Sequence, residues 1–246
     1  MKKIVLKLSG EILQGKDRHV DIKYIENLAK DIYEIVKKGY KIALVIGGGN
    51  IWRHRDNADL KMDRVHSDQI GMMATIMNAL ILEDMFKEKG IKVKAVSNLS
   101  VPAVLPDYES KKAVSMFKKY DVLICAGGTG KPYVTTDSAA ALRAVEIGAE
   151  ALFKATNVDF VYNKDPRKFK DVKPIKSISA REVVEKKLGV MDLSAVSLCM
   201  SKKIPIFIFN IFKKGNLLRA VFKRDIGTMV KGQMNKGAND KLMSNY

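Results

Sequence analysis

The stretch VLICAGGTGKPYVTTDSAAA, Val122 to Ala141, is the part of the chain whose reading decides the fold. Its first five residues, Val122 to Ala126, are a short apolar run typical of a buried strand. Gly127, Gly128 and Gly130 then mark a turn, and a helical pattern runs from Ser138 to Ile147 and is closed by Gly148. Two other runs have the same grammar, IVLKLSGE at Ile4 to Glu11 and ALVIGGGN at Ala43 to Asn50. Glycine lets the backbone approach an anion closely and reach positive φ, and successive N–H groups before a helix start supply converging partial positive charge. One such turn says little, whereas three imply a site built around several phosphates.

Working outward, strand and helix keep alternating. From Asp21 to Lys38 the apolar positions Ile22, Ile25, Leu28, Ile32, Ile35 and Val36 recur at helical spacing, with Asp21 as N-cap and Gly39 just past the end. A long helical pattern from Val65 to Lys89 carries Ile70, Met73, Met77, Leu80, Ile81 and Met85, stops at Gly90, and is followed by an apolar run from Lys92 to Val96. A strand is expected at Ala151 to Lys154. Ser179 and Glu182 have capping-box spacing for a helix through Lys187, Asp192 suits the cap of another through Lys202, and Ile206 to Phe209 reads as a strand. The sum is an α/β chain, a mostly parallel central sheet covered by helices on both faces, with ligands expected at the carboxyl ends of the strands. No linker or internal repeat interrupts residues 1–232, which read as a single domain. Residues 233–246 lose apolar periodicity and read as a loose basic tail.

The bulk numbers exclude several classes. At 246 residues with 47% hydrophobic content the chain has material for a sizeable core. Lys2, Lys3 and Lys7 interrupt the N-terminus as a signal peptide would not, and no run approaches the roughly 20 apolar residues of a membrane helix, so a cytoplasmic protein is expected. Cys125 and Cys199 read as reduced, structural thiols that form no zinc site with the scattered His19, His54 and His66. The net charge of +17 would suit nucleic acid, a membrane surface or a small anion, but nine of the 44 basic residues are Arg and the lysines are dispersed along the chain. A solvated basic surface is the simpler reading.

Familiar phosphate motifs fail. Gly130-Lys131 has Pro132 where a P-loop needs Ser or Thr and Cys125 where it needs the first Gly, and Trp52 replaces the last glycine of a dinucleotide fingerprint. In KLSGE, Lys7 at a strand end is either a snorkelling lysine or a fixed ammonium for a transferring phosphoryl group. The triple glycine at Gly47 to Gly49, followed by Asn50, Trp52 and Arg53, is a tight turn or a place of close ligand approach, with Arg53 able to grip phosphate bidentately. Asp68 fits either the first turn of a helix or ribose hydroxyls. The segment from Thr129 to Asp137 combines hydroxyls, Lys131 and a carboxylate, although Asp137 also suits an ordinary N-cap. KATNVDFVYNKDP, Lys154 to Pro166, follows the next strand with groups suited to a nucleoside edge or a plain loop.

With these segments in order, the chain resembles the bacterial uridylate (UMP) kinases of the amino acid kinase superfamily from about Lys3 to Lys231. The resemblance is carried by KLSGE, VIGGGN with Arg53, SDQIGMMAT, GTGKPYVTTDSAA, KATNVD and VMDLSA. It implies a three-layer αβα sandwich, the amino acid kinase fold, and transfer of the γ-phosphoryl of ATP to UMP, giving UDP and ADP, with Mg²⁺ carried by the nucleotides rather than by a protein metal site. By the same resemblance Lys7, Leu8, Ser9, Gly10, Gly49 and Arg53 contact ATP phosphates, and Thr156, Tyr162 and Asp165 hold its nucleoside. Gly48, Asp68, Thr129, Gly130, Lys131, Pro132, Tyr133, Val134, Thr135 and Thr136 form the UMP site. Lys7 and Arg53 are expected to stabilise the migrating group, Asp137 to orient the catalytic lysine, and Asp192 to act beside them or as a helix cap. Members resemble one another in forming homohexamers regulated by UTP and GTP, with no specific nucleic-acid partner and no membrane. Departures fall at Lys16-Asp17-Arg18-His19, in place of a glycine-rich segment, at Phe160 in place of Gly, and at Lys131 in place of a small polar residue. A kinase of the same superfamily acting on a carboxylate or carbamate is the nearest alternative, which the threonines and Asp68 of the acceptor segment disfavour.

Overall fold

The computed structural model describes residues 1–231 except 17, 165–168, 170, 187 and 190, with residue 58 described by its backbone alone. The tail expected at 233–246 therefore lies outside the described residues, as does Asp165.

Strands β1 (Lys2–Leu8), β2 (Tyr40–Ile46), β3 (Val93–Ser97), β4 (Val122–Ala126) and β5 (Ala151–Thr156) are followed by the two-residue strands β6 (Val161–Tyr162) and β7 (Pro174–Ile175), then β8 (Ser177–Ser179), β9 (Ile206–Asn210) and β10 (Thr228–Lys231). Between them run α1 (Ile22–Lys37), α2 (Arg64–Glu88), α3 (Ser110–Met116), α4 (Thr136–Ile147), α5 (Ala180–Glu185), α6 (Leu193–Ser201) and α7 (Asn216–Phe222). Eight strands form one sheet in the order β3-β4-β2-β1-β5-β9-β10-β8, parallel except where β10 meets β9, and β6 pairs with β7 apart from it. No described helix is long and apolar enough to cross a membrane.

Strand alternation splits the core in two. Ile4, Leu6 and Leu8 of β1 pack with α1, α2 and α7 on one face, whereas Val5 packs with α3, α4, α5 and α6 on the other. The same parity assigns Phe153 to the first face and Leu152 to the second. Lys7 and Lys154 therefore project toward α4, and they are register partners on adjacent strands. The sandwich expected from the sequence is the sandwich observed.

Local chemistry fixes most boundaries. Asp21 accepts from the Tyr24 amide at 3.0 Å to start α1, and the Ser179–Glu182 capping box is complete at α5. At α4 the cap is Thr135 and not Asp137, because the Thr135 hydroxyl accepts from the Ser138 amide at 3.3 Å. Asp137 is thereby released for other work. Both cysteines are free and buried, which pushes their thiols up to about 12.

Four of the six residues whose apolar pattern announces α2 are not on the face it buries, while Ile81 and Met85 pack against the core. Ile70, Met73, Met77 and Leu80 are 36–52% exposed, whereas Ser67, Ala74, Thr75, Asn78 and Ala79 lie inside. The inner face is largely small and polar where it packs against the glycine turns, where bulk has no room and backbone groups need partners, and turns apolar further along, where Ile76, Leu82 and Phe86 enter the core.

Candidate active site

The ends of β1, β2 and β4 bring all three glycine turns to one rim of the sheet. The first two turns are packed against each other so closely that a Cβ on Gly10 would lie 2.5 Å from the Gly49 nitrogen, and one on Gly48 would lie 2.6 Å from the Gly71 carbonyl oxygen in α2. The reason for glycine at 48 is thus contact with the protein's own backbone, while a Cβ on Gly49 would meet the Arg53 side chain, its Nε at 3.2 Å. Around these turns lie two cavities. The larger, about 510 Å³, is lined by Lys7, Ser9, Gly10, Gly47 to Gly49, Arg53 and Thr135 with Thr136. The second, about 290 Å³, is lined by Gly48, Asp68, Thr75, Gly128, Lys131, Tyr133, Val134, Thr135 and Thr136. Gly48, Gly49, Thr135, Thr136, His54 and Arg64 belong to both, so the cavities meet along a shared wall.

At the rim's centre is a three-residue ion cluster. The Lys7 Nζ lies 2.9 Å from one carboxylate oxygen of Asp137, and the Lys154 Nζ donates to the other at 2.5 Å. All three side chains are at most 15% exposed. Two neighbouring ammonium groups on parallel strands repel each other, and a carboxylate in the first turn of α4 lies between them, offsets one of the two charges and is itself favoured by the helix dipole. Burial pushes the Asp137 carboxyl up, but Lys7 and Lys154 outweigh burial and hold it below the ordinary carboxylate range. Burial lowers Lys154, with Asp137 opposing and Lys7 reinforcing that shift. Asp192, at the start of α6, makes no capping bond with its side chain and instead accepts from the Thr135 hydroxyl.

Helix α2 holds the second and third turns in place. Asn78 and Asn50 exchange amide hydrogen bonds of 3.0 and 2.8 Å, and the Asn78 Nδ2 also donates to the Gly47 carbonyl at 2.8 Å. The Thr75 hydroxyl accepts from the Gly127 amide at 2.7 Å. Asp68 accepts from the Arg64 Nε at 2.9 Å and from the Tyr133 amide at 2.8 Å, which pins the loop after the third turn where Tyr133 takes a left-handed φ of 62°. His19 and Asn50 share two side chain to backbone hydrogen bonds, so the segment that departs from the family pattern is anchored to the second turn.

Other expected residues are dispersed. Leu8 has its side chain in the core at 0% exposure, leaving only its backbone near the cleft. Arg53 lines the larger cavity, but its guanidinium lies 3.4 Å from both Glu11 and Asp56 and its Nε donates to the Gly49 carbonyl. These partly exposed pairs are weak enough for a phosphate to displace. Thr129, Gly130 and Pro132 belong to the loop but do not line the smaller cavity, and Thr156 and Tyr162, at the ends of β5 and β6, line neither. Among the described residues no group of three or more His, Cys, Asp or Glu is placed to hold a metal.

Lys154, Thr75 and Asn78 had no assigned role in the sequence reading. The signal for the latter two was present as a stripe of small and polar residues, Ser67, Gly71, Thr75 and Asn78, at helical spacing inside an apolar pattern. For Lys154 it was the second lysine at a strand end, in register with Lys7.

Comparison with known proteins agrees with this geometry. Residues 2–210 match the model of the amino acid kinase family. A curated uridylate kinase of Dichelobacter nodosus is 40% identical over 230 residues, 93% of this chain and 95% of that protein. The crystal structure of a UMP kinase from Bacillus anthracis superposes with a TM-score of 0.90 at 31% identity, covering 95% of this chain and 97% of that one. That of a UMP kinase from Ureaplasma parvum gives 0.89 at 34%, covering 94% and 98%. The chain belongs to the amino acid kinase family and, within it, to the uridylate kinases.

Proposed function

We propose that the protein transfers the γ-phosphoryl group of ATP to UMP, with the larger cavity as donor site and the smaller as acceptor site. The observation that carries the proposal is the shared wall: two cavities meet at Gly48, Thr135 and Thr136, beside Lys7. In-line transfer between phosphates needs alignment and charge neutralisation rather than a protein nucleophile. Ser9, Gly10 and Gly49 offer backbone donors to the donor phosphates, Arg53 swings from Glu11 and Asp56 onto them, and Lys7 follows the migrating group with Asp137 fixing its direction. Thr156 and Tyr162, together with Asp165 outside the described residues, are assigned to the ATP nucleoside through the family resemblance. Asp68 and the loop from Thr129 to Thr136 hold the acceptor.

Mg²⁺ fits this site as an ion carried on the nucleotide, because among the described residues Glu11 and Asp68 are the carboxylates lining the two cavities, the first beside Arg53 and Arg55 and the second bonded to Arg64 and Tyr133, and they do not form a cluster that could hold a metal. Bound there it would supply further neutralisation of the phosphate charge.

The proposal extends to one domain over residues 1–232, a cytoplasmic location, homohexameric assembly and regulation by UTP and GTP, all carried by the family resemblance. The exposed stripe Ile70, Met73, Met77 and Leu80 supports assembly, since an apolar face of this kind calls for cover by a second copy. The deciding experiment presents ATP and Mg²⁺ with UMP, CMP, acetylglutamate and carbamate in turn and follows the phosphorus NMR spectrum. UDP is expected with UMP, and a spectrum without it refutes the reading.

A further inference from the structure

Behind the acceptor loop lies a buried polar cluster that the transfer reaction does not use. Arg143 of α4 is 2% exposed. Its guanidinium lies 2.7 and 3.2 Å from the two carboxylate oxygens of Glu146, donates to the Asn98 Oδ1 at 3.0 Å, and stacks 3.8 Å from the centre of the Tyr108 ring. The Tyr108 hydroxyl donates to Glu146 at 2.8 Å. Asn98 then reaches forward, its Nδ2 donating to the Gly128 carbonyl at 2.9 Å.

We infer that Arg143 is a positioning residue for the acceptor loop, fixing the Asn98 amide so that Asn98 in turn holds Gly128. The two ends of a carboxamide are nearly the same in shape, and only the chemistry of the neighbours decides which end points where. A guanidinium has donors alone, so it draws the amide oxygen to itself and leaves the NH₂ aimed at Gly128. The loop needs such a hold. Gly127, Gly128 and Gly130 all take left-handed φ, at 71°, 56° and 74°, in a backbone with little conformational preference of its own. It rests on the segment 97–99, where a Cβ on Gly130 would come 2.8 Å from the Asn98 carbonyl oxygen and one on Gly127 would come 2.5 Å from the Leu99 nitrogen. Stability alone does not call for this arrangement, because a buried ion pair is often replaced by well-packed apolar groups without loss. Orientation of a carboxamide is something apolar groups cannot supply.

The inference rests on the acceptor reading above, and the test separates the two. Asn98→Asp keeps the partner of Arg143, now as a carboxylate, but turns an oxygen toward the Gly128 carbonyl. Its KM for UMP is expected to rise about tenfold, as a hydrogen bond becomes a repulsion, while KM for ATP and the melting temperature stay near wild type. In nucleotide-free protein, hydrogen exchange at the amides of residues 128–131 should quicken with the rest of the molecule unchanged. Arg143→Lys, which keeps the charge but loses the fork, should show the same split in smaller measure. Unchanged exchange and KM in Asn98→Asp overturn the inference, and so does a parallel fall of every parameter with the melting temperature. A wild-type enzyme that makes no UDP refutes the acceptor reading instead, and the exchange measurement still decides the role of Arg143.

Discussion

Asp137→Asn exposes what the ion cluster contributes. The substitution keeps the shape of the side chain and removes its charge, leaving two ammonium groups side by side in a site where the side chains are at most 15% exposed. Removing one partner from a buried ionic group costs about 3–5 kcal/mol, chiefly through the charge left behind. For a chain of this size each kcal/mol moves the melting temperature by about 2–4 °C, so a drop on the order of 10 °C is expected. A non-hydrolysable ATP analogue should recover part of it, because phosphate supplies the missing negative charge and binds only the folded state. Turnover should fall by about 10²–10³, the scale of losing one preorganised electrostatic group. The pH dependence has a definite sign. Because the folded Asp137 carboxyl lies below its unfolded value of 3.8, the wild-type advantage is fully present above that value and fades as pH falls through the depressed folded pKa. Thermal unfolding of both proteins between pH 3 and 8, with and without the analogue, and coupled assay of ADP release provide the readouts. A variant that melts with wild type at pH 7 and turns over within threefold of it refutes the account of the cluster.

Gly48→Ala should lower the melting temperature and abolish most activity, because its Cβ would sit 2.6 Å from the Gly71 carbonyl oxygen, an overpacking that costs about 1–3 kcal/mol; unchanged calorimetric melting would contradict the close approach of turn and helix. Asp68→Ala frees both Arg64 and the Tyr133 amide and should raise KM for UMP by about tenfold or more while leaving KM for ATP in place, as steady-state kinetics with each substrate varied will report. Paired Met73→Glu and Met77→Glu, on a face already 45–52% exposed, should leave the isolated fold intact but shift the mass measured by light scattering toward the single chain; an unchanged mass would show that this face is not an interface.

The glycine turns were legible because β1, β2 and β4 are apolar runs that lead into glycine, and β3, β5 and β9 were legible as short apolar runs between helical patterns. Helices α1 and α5 were legible from their caps, α2 and α4 from their helical patterns and the glycines that stop them, and α6 from Asp192 at its start. The short helices α3 and α7, strands β6 to β8 and β10 escaped because two to seven residues carry too little periodicity to register. In the site, Lys7 and Asp137 were readable as chemistry, but the partner that completes them, Lys154, depends on strand register across more than 140 residues of sequence. Asp137 was open to reading as a cap because first-turn carboxylates cap so often, and Thr135 two residues earlier took that place. The apolar pattern of α2 gave the helix but not its orientation, since near the glycine turns the inner face answers to the needs of backbone carbonyls and amides, and Ile76, Leu82 and Phe86, which do enter the core, lay outside the pattern.

Helix α2 thereby serves two masters. One side touches the smaller cavity, the proposed acceptor site, through Asp68, Gly71, Met72 and Thr75, and the opposite side carries the exposed Met73 and Met77. A helix with its side chains is only about 10 Å across, and this one is a continuous rod of 25 residues. If the proposed assembly covers the outer side, a docked subunit would press on the floor of the smaller cavity with no intervening layer, so subunit and substrate would sense each other through a single rigid wall.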